Sequence, residues 1–253
     1  MAFIGVLGAG QMAYGRLGVM IHSELLESLR GALIVSCQAD PGSPFRDPVF
    51  IVAFAKAAKI GGAKAVRIQS LEDVLAVRAA IDLPIIGLIK RDLADFDVYI
   101  TPTPEEAQDL VLVGSQIVAF DATRRSRPHS VLELTRAVHG AGALAMADCA
   151  TMEDAREAIA AGVDFVGTTM SGFTPDSPKI SGPDFDFIRA ASGLGVPVIA
   201  EGRISSPSEA KKALELGAFA VVVGSAITRP DVATRWYADA LKSGALKSGA
   251  LES

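Results

Sequence analysis

The stretch PVIAEGRISSPSEAKKALELGAFAVVVGSA (197–226) contains one complete repeating unit. PVIA (197–200) is a short apolar run, and EGRIS (201–205) is a glycine-containing turn. Ser206-Pro-Ser-Glu then opens a helix, with a serine at the N-cap and an acid in the first turn. The helix predicted over 206–217 ends at Gly217, a residue suited to the C′ position. AVVVG (220–224) is the next strand. Neither strand alternates polar with apolar residues, which is the pattern of parallel strands buried on both faces.

The unit repeats in both directions. The other strand candidates are ALIVSC (32–37), AVRI (65–68), PIIGLI (84–89), QIVAF (116–120), LAMA (144–147) and FVGTT (165–169). Ser70-Leu-Glu-Asp and Thr151-Met-Glu-Asp repeat the capping signal, and Gly162 repeats the C′ glycine after a helix over 151–161. Eight units of roughly 25–30 residues predict a single (β/α)8 barrel with an extra N-terminal segment. A doubly wound open sheet is the alternative. The domain reading is an extension over 1–19 outside the core, a barrel over 20–241 and a tail over 242–253. The tail contains KSGAL twice and reads as a frayed extension. Two stretches break the rhythm. Residues 91–115 include VYITPTPEEAQ, which predicts an extra short strand, and SGFTPDSPKISGP (171–183) reads either as a lid carrying Phe173 and Thr174 or as a solvated loop.

The N-terminal FIGVLGAGQMA (3–13) spaces Gly8, Gly10 and Ala13 like a dinucleotide-binding turn. That motif needs a second strand and an acid at its end about 20 residues on. Here HSELLESLR (22–30) reads as an amphipathic helix with Glu27 inside it, so nucleotide binding is not expected; Met20 reads as an alternative start.

Composition narrows the function. Half of the 253 residues are hydrophobic and 21% are charged, which argues for a packed globular chain. The net charge of −5 and the lack of a basic stripe argue against nucleic acid as a partner. The one basic run, RRSR (124–127), is local, and reads equally as a solvated loop or a functional one. No apolar run reaches the roughly 18 residues of a membrane span, and no basic n-region precedes the N-terminal apolar stretch. Cys37 and Cys149 form no C-x-x-C and read as reduced, buried thiols of a cytoplasmic protein. His22, His129 and His139 form no ligand motif, and no metal site is expected.

In a barrel of this kind the active site lies at the C-terminal ends of the strands. The residues closing the apolar runs are Gln38, Arg67, Lys90, Asp121, Asp148, Thr168-Thr169, Glu201 and Gly224-Ser225. No histidine is among them, which argues against a metal-dependent hydrolase. The loops after strands seven and eight, with Gly202, Arg203, Gly224, Ser225 and Arg229, are where the fold often holds a phosphate. The set suits metal-free proton transfer beside a carbonyl of a phosphorylated small molecule.

LIVSCQ (33–38), IIGLIKRD (85–92), ITPT (100–103), LAMADC (144–149), GTTMSGFT (167–174), VIAEGRISSP (198–207) and VGSAITRP (223–230) together resemble the N-acetylmannosamine-6-phosphate 2-epimerase family. The resemblance covers 29 to about 240 and departs at Phe173, where the family usually has tyrosine. It implies interconversion of N-acetylmannosamine 6-phosphate and N-acetylglucosamine 6-phosphate in bacterial sialic acid and amino sugar use, with no metal or organic cofactor. It implies Lys90 and Glu201 as catalytic residues and Gln38, Arg67, Asp148, Thr169, Gly202 and Arg203 as substrate-binding residues. Gly224, Ser225 and Arg229 would hold phosphate, and the chain would form a homodimer. Arg125 and Arg127 also match, without an assigned role. Lys90 would remove and return the C2 proton with Glu201 orienting it, or the two would act on opposite faces. The competing readings are a plain Lys90–Glu201 salt bridge, an enzyme for another sugar or ketose phosphate, and a non-catalytic sugar-phosphate sensor.

Overall fold

A helix over 22–29, α1, enters the first of eight parallel strands. The strands are β1 (Leu33–Cys37), β2 (Ala65–Gln69), β3 (Ile85–Leu88), β4 (Ile117–Asp121), β5 (Leu144–Asp148), β6 (Phe165–Gly167), β7 (Val198–Ala200) and β8 (Ala220–Val223). Between them run α2 (Pro48–Ile60), α3 (Leu71–Ala80), α4 (Pro104–Leu112), α5 (Val131–Gly140), α6 (Met152–Ala160), α7 (Phe185–Ser192) and α8 (Pro207–Glu215). A short α9 (Ser225–Thr228) and a long α10 (Pro230–Ser248) follow β8. The computed structural model describes residues 22–248, so the Gly8–Ala13 pattern, the extension over 1–19, Met20 and the last residues of the tail lie outside the described residues.

Each strand pairs with its sequence neighbour, and β1 closes on β8 with Leu33 opposite Val221, giving a closed (β/α)8 barrel. All eight strand candidates are strands, with ends shifted by a residue or two. The capping signals act as read: Ser70, Thr151 and Ser206 each accept a backbone N–H of their helix's first turn. Such caps contribute about 1 kcal/mol each. Gly162 and Gly217 follow α6 and α8 with φ of +86° and +101°, where a side chain would be strained.

One element differs from expectation. The extra strand expected within 91–115 is reduced to single antiparallel bridges, Lys90 with Ile100 and Leu93 with Phe96. The 99–101 segment reaches across to β4 as well, with Asp121 N–H donating to Ile100 O at 2.9 Å, and so wedges between two strands.

Two apolar layers sit back to back across the sheet. The outer layer packs Val35, Ile68, Ile85, Val118, Ala145 and Val166 against the helices. The inner layer fills the barrel with Ile34, Ala65, Ile86, Ile117, Leu144, Phe165, Ile199 and Ala220. Because side chains alternate along a strand, every second residue after these points into the barrel. That parity carries Ser36, Arg67, Leu88, Ala119, Met146, Gly167, Glu201 and Val222 inward, and one step further Gln38, Lys90, Asp121, Asp148, Thr169 and Gly224. The polar residues at the C-terminal mouth are thus continuations of the apolar interior rows.

At the opposite end, α1 plugs the barrel. It spans from Gly142, whose carbonyl meets His22 Nε2 at 3.3 Å, to Phe219, whose carbonyl accepts the Gly31 N–H at 2.7 Å. Leu25 and Leu29 join the interior apolar cluster, and Leu29 is fully buried. Leu29→Ala is expected to lower stability by about 2–5 kcal/mol. Urea unfolding should show a lower midpoint with an unchanged slope; an unchanged midpoint would remove α1 from the core.

Candidate active site

A cavity of about 580 Å³ opens at the C-terminal mouth, a size ordinary for a small-molecule site. It is lined by Gln38, Arg67, Lys90, Thr169, Glu201, Gly202, Arg203, Gly224, Ser225 and Arg229. Every residue given a catalytic, sugar or phosphate role by the resemblance is therefore at the cavity except Asp148, whereas the strand-end residues Asp121 and Thr168 do not line it.

Arg67 is the centre of the site. Its guanidinium is 1% exposed. Nη2 donates to Asp148 Oδ2 at 2.5 Å and Nη1 to Asp148 Oδ1 at 3.2 Å, while Nη1 also donates to Glu201 Oε2 and to Thr169 Oγ1. Thr169 Oγ1 lies 2.8 Å from Asp148 Oδ1 and 3.2 Å from Glu201 Oε2, which ties the two carboxylates together. Burial works against the Arg67 charge, but Asp148 and Glu201 outweigh it and raise its pKa above the ordinary arginine value. Asp148 is consumed by this arrangement: it is fully buried behind Arg67 and does not line the cavity. Gly167, between Asp148 and Thr169 in space, leaves room for the cluster. A Cβ there would stand 2.6 Å from Met146 Cε and 2.9 Å from Asp148 Oδ1.

Burial also raises the Glu201 carboxyl; Arg67 opposes the rise and Asp148 adds to it, with a net increase above the ordinary glutamate value. The Glu201 main chain is locked by Thr168, whose Oγ1 accepts the Glu201 N–H at 3.0 Å and donates to its carbonyl at 2.8 Å.

Lys90 lies beside this cluster at the cavity wall and is exposed there. No ion pair joins it to Glu201 among the described residues, so the plain salt-bridge reading fails and Glu201 does not orient Lys90 by contact. Glu201 Oε2 is instead taken by Arg67 and Thr169. Burial pushes the Lys90 pKa down and the Arg67 charge pushes it further; Asp40, Glu201 and Asp148 oppose without reversing the direction. The competition between a neighbouring carboxylate and desolvation thus resolves toward the neutral amine.

Around the rim, Gln38 Nε2 donates to Ser36 Oγ at 2.9 Å, and its Oε1 is buried without a protein partner. After β8, Gly224 caps α9 without a side-chain hydrogen bond. Arg229 lines the cavity with its guanidinium bound to Asp231 at 3.0 Å and Asp40 at 2.6 Å. Arg203 donates to the carbonyls of Gly182 and Ser171 at 2.7 and 2.6 Å and stacks 5.5 Å from the Phe173 ring. Its guanidinium therefore holds the 171–183 loop. Gly172, with φ of +84°, accepts that close approach: a Cβ there would lie 2.5 Å from Arg203 Nη1. Phe173 is exposed and lines the cavity, whereas Thr174, expected beside it as a cover, is buried and bonded to Ser177.

Only glycine adopts positive φ freely. Among the described residues three others do so, Ser70, Thr101 and Arg203, at +74°, +41° and +56°. They follow β2, face β3 and follow β7, beside the segments that carry Arg67, Lys90 and Glu201. Such strain concentrates at functional sites.

The basic run is internal scaffolding. Arg125 binds the buried Asp121 at 2.5 Å and lies 5.8 Å from the Tyr99 ring, while Arg127 donates to the carbonyls of Asp121, Thr123 and His129. Both cysteines are buried and free, with burial pushing the Cys37 thiol up to about 12. His139 meets Asp164 at 2.7 Å on the surface. Among the described residues no group of His, Cys, Asp and Glu is placed to hold a metal ion, and no helix is long and apolar enough to cross a membrane.

Asp40, Tyr99 and Trp236 also line the cavity and were not singled out in the sequence. Tyr99 sits in the VYITPT string, which marked an irregular element; nothing in the sequence marked Trp236, brought in by α10.

The comparisons with known proteins agree with this geometry. The family model described as "Putative N-acetylmannosamine-6-phosphate epimerase" matches residues 51–243, well over half of the chain. The "Bifunctional enzyme NanE/NanK" of Brucella melitensis is 50% identical over 222 residues, which cover 88% of this chain and 43% of that protein. The chain thus spans less than half the length of the bifunctional relatives it matches. A Klebsiella pneumoniae protein named "Putative N-acetylmannosamine-6-phosphate 2-epimerase" is 47% identical over 84% of this chain and 91% of its own. The solved N-acetylmannosamine-6-phosphate 2-epimerase of Clostridium perfringens superposes with a TM-score of 0.83 at 44% identity, covering 85% of this chain and 95% of its own. With its barrel and most of its length in common with these proteins, the chain belongs to the N-acetylmannosamine-6-phosphate epimerase family.

Proposed function

We propose that the chain interconverts N-acetylmannosamine 6-phosphate and N-acetylglucosamine 6-phosphate by removing and returning the proton at C2. The observation that carries this reading is Lys90, an amine at the cavity wall with a lowered pKa beside an arginine fixed between two carboxylates. The C2 proton is acidic only when C1 is a free aldehyde, so the open-chain sugar is the reacting form. Lys90 takes the C2 proton as a neutral amine and returns it to either face of the resulting enediolate. Arg67, held rigid before substrate arrives, stabilises the oxyanion at the cost of little reorganisation. Glu201, whose raised pKa favours accepting one, exchanges a proton with the ring or C1 oxygen. The lack of a Lys90–Glu201 ion pair supports this division, with the lysine at carbon and the glutamate at oxygen. Asp148 positions Arg67, and Thr169 joins the two carboxylates. Gly202, Arg203 and Gln38 face the sugar, while Gly224, Ser225 and Arg229 take the phosphate, Arg229 exchanging its Asp40 contact for it. The reaction belongs to sialic acid and amino sugar breakdown in the cytoplasm, and the active species is a homodimer.

In D2O the protein is expected to convert N-acetylmannosamine 6-phosphate with deuterium entering at C2, followed by NMR. Lys90→Ala should abolish both conversion and exchange. No exchange by the wild type would sink the proposal.

The lysine is the base in its neutral form, so kcat should rise with pH as its proton is lost. Its pKa is lowered, so the limb should centre below the ordinary lysine value of about 10.4. A limb centred at or above that value would exclude Lys90 as the base.

Gly167→Ala should displace Asp148 and loosen Arg67, cutting kcat/KM by about tenfold or more, equivalent to roughly 1.4 kcal/mol of barrel-mouth positioning. Steady-state kinetics check this; a wild-type kcat/KM would show that the cluster tolerates the shift.

A further inference from the structure

We propose that Thr101 is a positioning residue that sets Lys90 by tying the end of β3 to β4 through its side-chain hydroxyl. This rests on the reading of Lys90 as the base and adds a residue that never meets the substrate.

The β3–β4 ladder is short: it pairs Ile86 with Ile117 and Gly87 with Val118, and then stops. Beyond that point the two strands part, and residues 99–101 fill the gap. Thr101 Oγ1 donates to Ala119 O on β4 at 2.7 Å and accepts the Ile89 N–H at 3.1 Å. The Thr101 N–H donates back to Ile89 O at 2.7 Å. Both main-chain polar groups of Ile89 therefore end on one threonine. Lys90 comes next and bridges to Ile100, and Arg91 N–H closes the exchange on Tyr99 O at 2.9 Å. Lys90 has its backbone fixed on both sides.

Thr101 is fully buried and does not line the cavity. Its φ of +41° is an outlier for a β-branched residue, since the branched side chain crowds the carbonyl there. Glycine would relieve the strain but would leave the Ile89 N–H and the Ala119 carbonyl without the hydroxyl that joins them. A buried, strained threonine at this junction makes sense when the hydroxyl is what the site requires.

The test compares Thr101→Val, which keeps the shape and removes the hydroxyl, with Thr101→Ser, which keeps the hydroxyl. Displacing a catalytic group by about 1 Å costs up to roughly a hundredfold in rate, so Thr101→Val should lower kcat about 10- to 100-fold with KM within about threefold. Thr101→Ser should stay within about threefold of the wild-type kcat on the same argument. In parallel, Lys90 is acetylated with acetic anhydride over a pH series and its labelling is read by peptide mass spectrometry. The labelling midpoint should rise toward the ordinary lysine value in Thr101→Val and stay in place in Thr101→Ser. Thr101→Cys, a weaker hydrogen-bonding group, should fall between them, and stands in if the valine variant does not fold. Wild-type kcat and an unmoved Lys90 midpoint in Thr101→Val, or in Thr101→Cys where it stands in, would overturn the inference. So would a serine variant as impaired as the valine one. If the wild type itself does not turn over the sugar phosphate, the proposed function fails, and the Lys90 labelling alone still decides the role of Thr101.

Discussion

Arg67 is a full positive charge buried in the barrel, and the rest of the mouth is arranged around keeping it there. A lone buried guanidinium would cost several kcal/mol, so it needs carboxylates with good geometry. Asp148 on β5, Glu201 after β7 and Thr169 after β6 meet that need. Since β2 and β5 stand well apart around the ring, the guanidinium is a strut across the lumen. The strut also sets Arg67 apart from Lys90. Arg67 takes the buried carboxylates, and Lys90 is left next to a positive charge without an ion-pair partner among the described residues. A fixed cation and an amine pushed toward neutrality thus arise from one constraint.

Strand ends are the weak points of so short a barrel. The strands β6 and β7 are three residues long, and the chain leaves the sheet soon after Gly167 and Ala200. Buried threonines tie the backbone at such strand ends. Thr168 clasps the Glu201 main chain, Thr101 joins β3 to β4, and Thr228 on α9 donates to Ser36 O on β1 at 2.7 Å. Each is almost wholly inaccessible and satisfies backbone groups that burial would otherwise orphan. Precision at the mouth comes from these hydroxyls as much as from the sheet.

Much of this was legible in the chain. The apolar runs, the Ser and Thr caps and the C′ glycines are local signals, and each states its element without help from distant residues. The closing residues of the runs placed Lys90, Arg67 and Glu201 at one mouth because barrel topology leaves them no other place. The division of labour among them was not legible. The family resemblance implies a sugar ligand in Asp148, but Arg67 covers it. Arg203 and Arg229 read as ligand-facing cations, and both line the cavity; the first in addition holds the 171–183 loop and the second is paired with Asp40 and Asp231. The RRSR run reads equally as a solvated loop or a functional one, and two of its arginines brace β4 through Asp121.

The sequence by itself determined the barrel and the roster at its mouth, because strand periodicity and helix caps depend on neighbours only a few residues away. Tertiary structure alone decided who pairs with whom. Glu201 binds Arg67 rather than Lys90 because closure brings residues 134 positions apart within hydrogen-bonding reach. It also decided that Thr101 would sit at positive φ, since only the gap between β3 and β4 calls for that conformation. Charge states follow from the same source: the lowering at Lys90 is a property of burial and of Arg67 beside it, and neither exists until the ring has closed.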